Sequence, residues 1–182
     1  MSALIAARLR RWACLAALAA FAGSLLADPL VSREERIKAV LVFKILKFVT
    51  WPPATLAAKD PLVLCVAGEA PITEALTSAE GRLIGENPVV LRRVHGLSLT
   101  EVKACHALYL SASIRDAGSV LAALRGKPLL TLGDAPDFAR RGGCVGLLRG
   151  ENRLVFEVSL KAVRENGLEM AAPLLELATL VD

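Results

Sequence analysis

Residues 36–53 read RIKAVLVFKILKFVTWPP, and the role of this stretch decides the fold. It is almost continuously apolar, yet it carries Lys38, Lys44 and Lys47 and stops at Trp51-Pro52-Pro53. Ser32 followed three residues later by Glu35 is a capping box, so a helix begins there. At 100° per residue, Ile37, Leu41, Ile45 and Phe48 fall on one face, while Arg33, Arg36, Lys44 and Lys47 gather on another. A face that charged excludes a bilayer span, which needs about 20 predominantly apolar residues. Thr50 precedes Trp51-Pro52, and a residue before proline is pushed out of the helical region, so the helix ends at about Thr50. The stretch is therefore an amphipathic helix that packs on a domain.

Upstream lies a different kind of segment. Arg8, Arg10 and Arg11 precede the apolar run WACLAALAAFAGSLLA, which ends in small residues before Asp28-Pro29. This is the pattern of a Sec-type export signal over residues 1–27, cut after Ala27 or near Ser24. The expected mature chain, 28–182, is one domain with no further membrane insertion, placed in the periplasm. The formal charge of +4 comes from 22 basic and 18 acidic residues. Three of those arginines belong to the signal, so the basic balance offers no nucleic-acid footprint in the mature chain. A hydrophobic content of 54% supplies a real core and excludes a disordered chain.

Beyond Pro61 the pattern alternates. LVLCVAG reads as a strand, PITEALTSAE as a helix, NPVVLRRV and HALYLS as strands with a short helix between them, and DAGSVLAALRG as a helix. KPLLTLG is a strand and DAPDFARRGG a helix ending in glycines. CVGLLRGENRLVFEV is a hairpin turning near Gly150-Glu151-Asn152. Ser159 caps LKAVRENG, Gly167 stops it, and APLLELATLV is a final helix with proline in its first turn. The expected fold is α/β: a single layered domain with a largely parallel central sheet flanked by helices, plus a hairpin in its C-terminal half.

Two segments echo each other. CVAGEAPITEAL and LTLGDAPDFARR both run strand, glycine, acid, Ala-Pro, helix. With Ser111-Ala112-Ser113, they place Gly68, Ser111, Gly133 and Asp134 at the carboxyl edge of a parallel sheet, where open α/β sheets bind ligands. Proline and aspartate at helix starts explain the same residues as architecture. Glu69 and Asp134 are acids, which excludes a phosphate cradle. Catalytic candidates are sparse. His95 and His106 share no metal-binding register, Cys144 has no local nucleophile motif, and there is no Gly-x-Ser-x-Gly, phosphate loop or His-Glu-x-x-His. No enzyme and no cofactor or metal is expected. Of the cysteines left after export, Cys65 and Cys105 sit at apolar, strand-like runs. An oxidising compartment would let them bridge, or they remain two buried thiols.

The mature chain resembles the YfiR family of periplasmic proteins over roughly residues 34–181. The residues that carry the likeness are AVLVFKILKFVTWP, PLVLCVAG, CHALYLS, LRGKPLLTLGD, FARRGG and RLVFEVSLKAVRENGLEMAAPLLELA. The resemblance implies a non-catalytic α/β domain that binds the periplasmic domain of a membrane-bound diguanylate cyclase and restrains cyclic-di-GMP synthesis and biofilm formation. A sensor kinase is the other expected partner, and a homodimer is implied as well. The family's bridge between the first strand and the third matches Cys65 and Cys105. A second bridge of some members lacks its residues here, leaving Cys144 alone. On this reading Phe48, Trp51 and Pro52, where the helix leaves the core, are partner-binding residues, with Glu157 an interface charge. The plainer roles are Trp51 sealing the core and Glu157 facing solvent. The alternative function is a periplasmic small-molecule binder using Gly68, Ser111, Gly133 and Asp134.

Overall fold

The computed structural model describes residues 31–182, except Gly96, Glu151 and Asn152. The expected export signal, and the centre of the hairpin turn, lie outside the described residues.

Helix α1 (Arg33–Leu46) begins where the capping pattern places it, with the Glu35 amide donating to Ser32 Oγ at 3.1 Å. It ends earlier than expected. Lys47 is its C-cap, and the chain is already extended at β1 (Val49–Thr50), which pairs antiparallel with β9 (Glu169–Met170). The chain is therefore already extended one residue before Trp51, on which the following proline imposes an extended backbone.

The central strands are β2 (Leu62–Ala67), β4 (Asn87–Val94), β5 (Ala107–Leu110), β6 (Leu130–Gly133) and β7 (Val145–Arg149), all mutually parallel. A short β3 (Leu83–Ile84) pairs antiparallel with β4 at one edge. At the other, β8 (Leu154–Ser159) returns antiparallel to β7 as the expected hairpin, and β10 (Thr179–Val181) lies parallel to β8. The eight-stranded order is β10-β8-β7-β6-β5-β2-β4-β3. The helices are α2 (Ile72–Leu76), α3 (Leu99–Val102), α4 (Ala117–Leu124), α5 (Leu160–Glu165) and α6 (Ala172–Leu175). The fold class read from the sequence is the one observed.

Alternation along the strands builds two cores. Leu62, Leu64 and Val66 of β2 join Tyr109, Leu130, Leu132 and the inner side of α1 in the larger one. Val63, Cys65 and Ala67 point the other way, into a smaller core with Leu108, Leu121, Leu124 and Phe138. Near-continuous apolar strands are what burial on both faces requires.

Three expectations are corrected. The apolar stripe of α1 that faces the core is Ala39, Val42, Phe43, Ile45 and Leu46; of the expected Ile37, Leu41, Ile45 and Phe48, only Ile45 is fully buried in it. The helix is apolar on two sides, and periodicity alone cannot choose between them. The segment 134–143 is not a helix but a series of turns, with Asp137 at φ 55°. Phe138 must fold back to cover Gly133 and Gly143, where it occupies the space a Cβ would need, and no helix starting at Asp134 can deliver it there. The echo with residues 65–76 therefore ends at Pro136. APLLELATLV divides, giving the four-residue α6 followed by β10, because β8 leaves an edge to which the chain end can pair.

Candidate functional site

The outer side of α1 is left unused by the two cores. Ile37, Val40 and Phe48 are 46%, 54% and 38% exposed. Ile37 and Val40 share one side of the helix with half-buried Leu41, Phe48 lies in the turn just past its end, and Arg36, Lys44 and Lys47 are exposed in the same stretch. A stripe of aliphatic and aromatic side chains bordered by cations suits a partner better than it suits water.

Both ends of this helix are fixed. Near its start, Lys38 is buried, and its Nζ lies 3.0 Å from Glu35 Oε1, 3.2 Å from Asp134 Oδ2 and 3.4 Å from Glu34 Oε1. Arg149 pairs with the other oxygen of Glu34 at 3.2 Å. Burial opposes the Lys38 ammonium, but the hydrogen bond to Glu35 and the field of Asp134 outweigh it and hold its pKa above the ordinary lysine value. Tyr109 is fully buried close by. Burial first, and then the Asp134 carboxylate, push its phenol well up, and its hydroxyl has no hydrogen-bond partner among the described residues. Lys38 interrupts an otherwise apolar helix side, and that interruption is the one sequence signal from which this cluster was readable.

Removing the Lys38 ammonium leaves Glu35 and Asp134 facing each other half out of water. Lys38→Met should cost about 2–3 kcal/mol, less than a fully buried pair because the carboxylates keep some solvent. The sign with pH follows from the raised pKa. The contribution is complete below the ordinary value of 10.5 and is lost as pH rises through the higher folded value. Urea titrations between pH 9 and about 12 should show an alkaline fall in wild-type stability that Lys38→Met lacks.

At its other end α1 runs into a corner built on His106. The Trp51 indole donates to the His106 carbonyl at 2.8 Å, and the Val63 amide donates to His106 Nδ1 at 2.9 Å. Since Nδ1 accepts, the ring proton sits on Nε2, which faces the Thr55 carbonyl at 3.1 Å. Trp51 is 6% exposed and belongs to the larger core. Glu157 is 8% exposed, with Oε1 3.3 Å from Arg140. Of the four expected contact residues, only Phe48 and half-buried Pro52 are on view. Trp51 supports the stripe from beneath, and a strand centre between β7 and β10 encloses Glu157.

The Cys65–Cys105 disulfide is present, with Cα atoms 5.8 Å apart. It lies in the smaller core, on the sheet face opposite α1. Cys144 is buried, and burial pushes its thiol up. Its amide donates to Thr131 Oγ1, and Asn166 Nδ2 approaches its sulfur at 3.8 Å. His106 is committed to Val63 and Thr55 instead.

The carboxyl edge of the sheet is filled by its own side chains. Ser111 Oγ donates to the Glu69 carbonyl, and the Glu69 amide donates to Ser113 Oγ at 2.9 Å. Asp134 Oδ1 accepts from the Ala112 amide at 2.9 Å while its other oxygen holds Lys38. A Cβ on Gly68 would lie 2.7 Å from Ser113 Oγ, and Phe138 closes over Gly133. Gly68, Ser111, Gly133 and Asp134 are thus brought to one edge, where they bind the protein itself. Two clefts open elsewhere. One, of about 600 Å³, is lined by Cys105, Val102, Leu124 and Leu129 with Lys103 and Lys127. The other, of about 240 Å³, lies between residues 139–142 and α5.

These features define a layered α/β domain that carries an apolar, cation-bordered stripe on its first helix. A family model described as YfiR/HmsC-like matches residues 35–179, and the chain belongs to that family. No curated protein matches it. Among solved structures, the ABC domain in complex with L-Trp from Streptococcus pneumonia is similar at a TM-score of 0.49 and 9% identity, over 76% of this chain. This chain spans 59% of that structure's length, and so distant a likeness carries no functional argument. Among the described residues, no helix is long and apolar enough to cross a membrane.

Proposed function

We propose that this protein is a periplasmic, non-enzymatic regulator that binds the periplasmic domain of a membrane-bound signalling protein, in the first place a diguanylate cyclase, and restrains it. Membership of the YfiR/HmsC-like family supports the partner class. The observation that carries the contact is the exposed stripe Ile37, Val40 and Phe48 on a helix fixed at both ends. Binding holds the partner in an inactive conformation, and weakening the contact releases it by population shift. Dimerisation and control by the redox state of Cys65–Cys105 belong to the same reading, as does a role in biofilm formation.

The test is retention of a membrane cyclase or sensor kinase from solubilised envelopes by the exported chain. Ile37→Asp, Val40→Asp and Phe48→Asp should each reduce retention about tenfold or more, with folding intact because all three side chains face water. Equal retention by all three variants would move the contact away from α1. No membrane protein retained by the folded wild type would remove the reading itself.

A further inference from the structure

The segment FARRGG, which forms no helix and touches neither end of α1, has a chemistry of its own. Phe138 is 1% exposed and anchors the turn in the smaller core. The Arg141 amide donates to the Asp137 carbonyl at 2.9 Å and the Gly143 amide to the Phe138 carbonyl at 3.0 Å. Asp137 at φ 55° and Gly142 at φ 99° complete a turn that needs left-handed backbone twice. The result is a rigid platform that carries Arg140 and Arg141 side by side.

Two further segments bring cations to the same cleft. Arg125 ends α4, and the next amide, Gly126, donates to Asn166 Oδ1 at 3.0 Å, with Asn166 Nδ2 held by the Leu129 carbonyl at 2.8 Å. Lys161 stands in the first turn of α5, whose cap is buried Ser159. The cleft of about 240 Å³ therefore gathers Arg125, Arg140, Arg141 and Lys161 against Glu165 and Asp182. Arg125 is shared with Glu165 at 3.5 Å and Arg140 with Glu157 at 3.3 Å. Among the described residues, Arg141 and Lys161 have no carboxylate within ion-pair distance, although the Arg141 guanidinium lies beside Gly118, where it acts on the Asp116 carboxylate.

We infer that this cleft is an oxyanion-binding site for a small phosphate-bearing molecule, with Arg141 and Lys161 as the primary ligands and Arg140 as a third donor. Guanidinium forks match tetrahedral oxyanions, and a lysine adds a point charge. The volume exceeds that of a bare phosphate, so a short polar body fits behind it, with Glu165 and Asp182 available to accept from its hydroxyls. The site shares no residue with the stripe of α1 and stands independently of the partner proposed above.

The experiment is a titration of the exported chain with inorganic phosphate and with glycerol 3-phosphate, followed by amide chemical shifts. Sodium chloride at matched ionic strength serves as the control. Saturable shifts at Gly142, Gly143 and Ala162 are expected, absent with chloride. Arg141→Ala with Lys161→Ala should weaken binding at least about tenfold, since each removes a charge-assisted bond, while the exposed positions leave the melting temperature unchanged. Tighter binding of glycerol 3-phosphate assigns the site to phosphomonoesters, and equal binding assigns it to free phosphate. Shifts reproduced by chloride, shifts elsewhere in the chain, or binding unaltered in the double variant would overturn the site. Lys161→Glu, a single exposed charge reversal, provides the same readout should the double variant fold poorly.

Discussion

Removing the Cys65–Cys105 bond should lower stability by about 4 kcal/mol, because it closes a loop of 40 residues in the unfolded chain. Replacing both residues by alanine, rather than serine, avoids burying hydroxyls where Cys65 is wholly enclosed and Cys105 is 6% exposed. For a domain of this size, the loss corresponds to a melting temperature lower by on the order of 10 °C. Calorimetry of the oxidised chain against the alanine pair measures it. A drop below about 1 kcal/mol would mean that the unfolded chain is already compact around these residues. The bond also bears on the partner surface, by an indirect route. It lies on the sheet face away from α1, so it reaches the helix only through the residue next to Cys105. That residue is His106, whose ring and carbonyl hold Val63, Thr55 and Trp51. Trp51 is the only tryptophan among residues 28–182, so its fluorescence in that segment reports whether reduction disturbs this corner.

Trp51→Ala is the second large effect, at about 3–5 kcal/mol for emptying a packed aromatic site. The lost hydrogen bond is the smaller part, since the His106 carbonyl keeps the Leu130 amide at 3.0 Å. Trp51→Phe separates the two terms. It retains most of the packing and should cost only about 1 kcal/mol from the hydrogen bond, plus the volume difference. Denaturant titrations of both variants give the comparison, and equal losses would refute the packing account. Partner retention provides a second readout. On the function proposed above, Trp51→Phe should retain the membrane partner while Phe48→Asp does not, because Trp51 is buried and Phe48 is exposed.

Much of this architecture was legible in the sequence because it rests on local chemistry. Ser32 and Ser159 cap the helices that they were expected to cap, and Gly167 takes φ 66° at a helix stop. The apolar runs around Cys65, Tyr109 and Leu132 are strands buried on both faces. What was not legible depends on residues far apart. The two apolar sides of α1 differ only in what meets them, and Asp134, which fixes Lys38 and so the rotation of the helix, lies 96 residues away. Asp134-Ala135-Pro136 looks like a helix start, and only the demand for Phe138 over Gly133 and Gly143 turns it aside. The last ten residues read as one helix because nothing local reveals that β8 lacks a neighbour. The expected contact residues followed the same division: Phe48 is exposed in the turn that ends the helix, whereas Trp51 and Glu157 are enclosed by residues distant in sequence.

The placement of α1 has a consequence for how the chain assembles. The helix is made early, and α2 and β2 soon cover part of its inner side, but β9, which pairs with β1, and Asp134 and Arg149, which hold its first turns, come much later. Until those segments emerge the helix is only partly covered, and contacts this distant in sequence form slowly. The same stripe that suits a partner in the finished protein is thus half of a larger sticky surface in the nascent one. Part of this helix therefore stays exposed until the C-terminal half of the chain has been made.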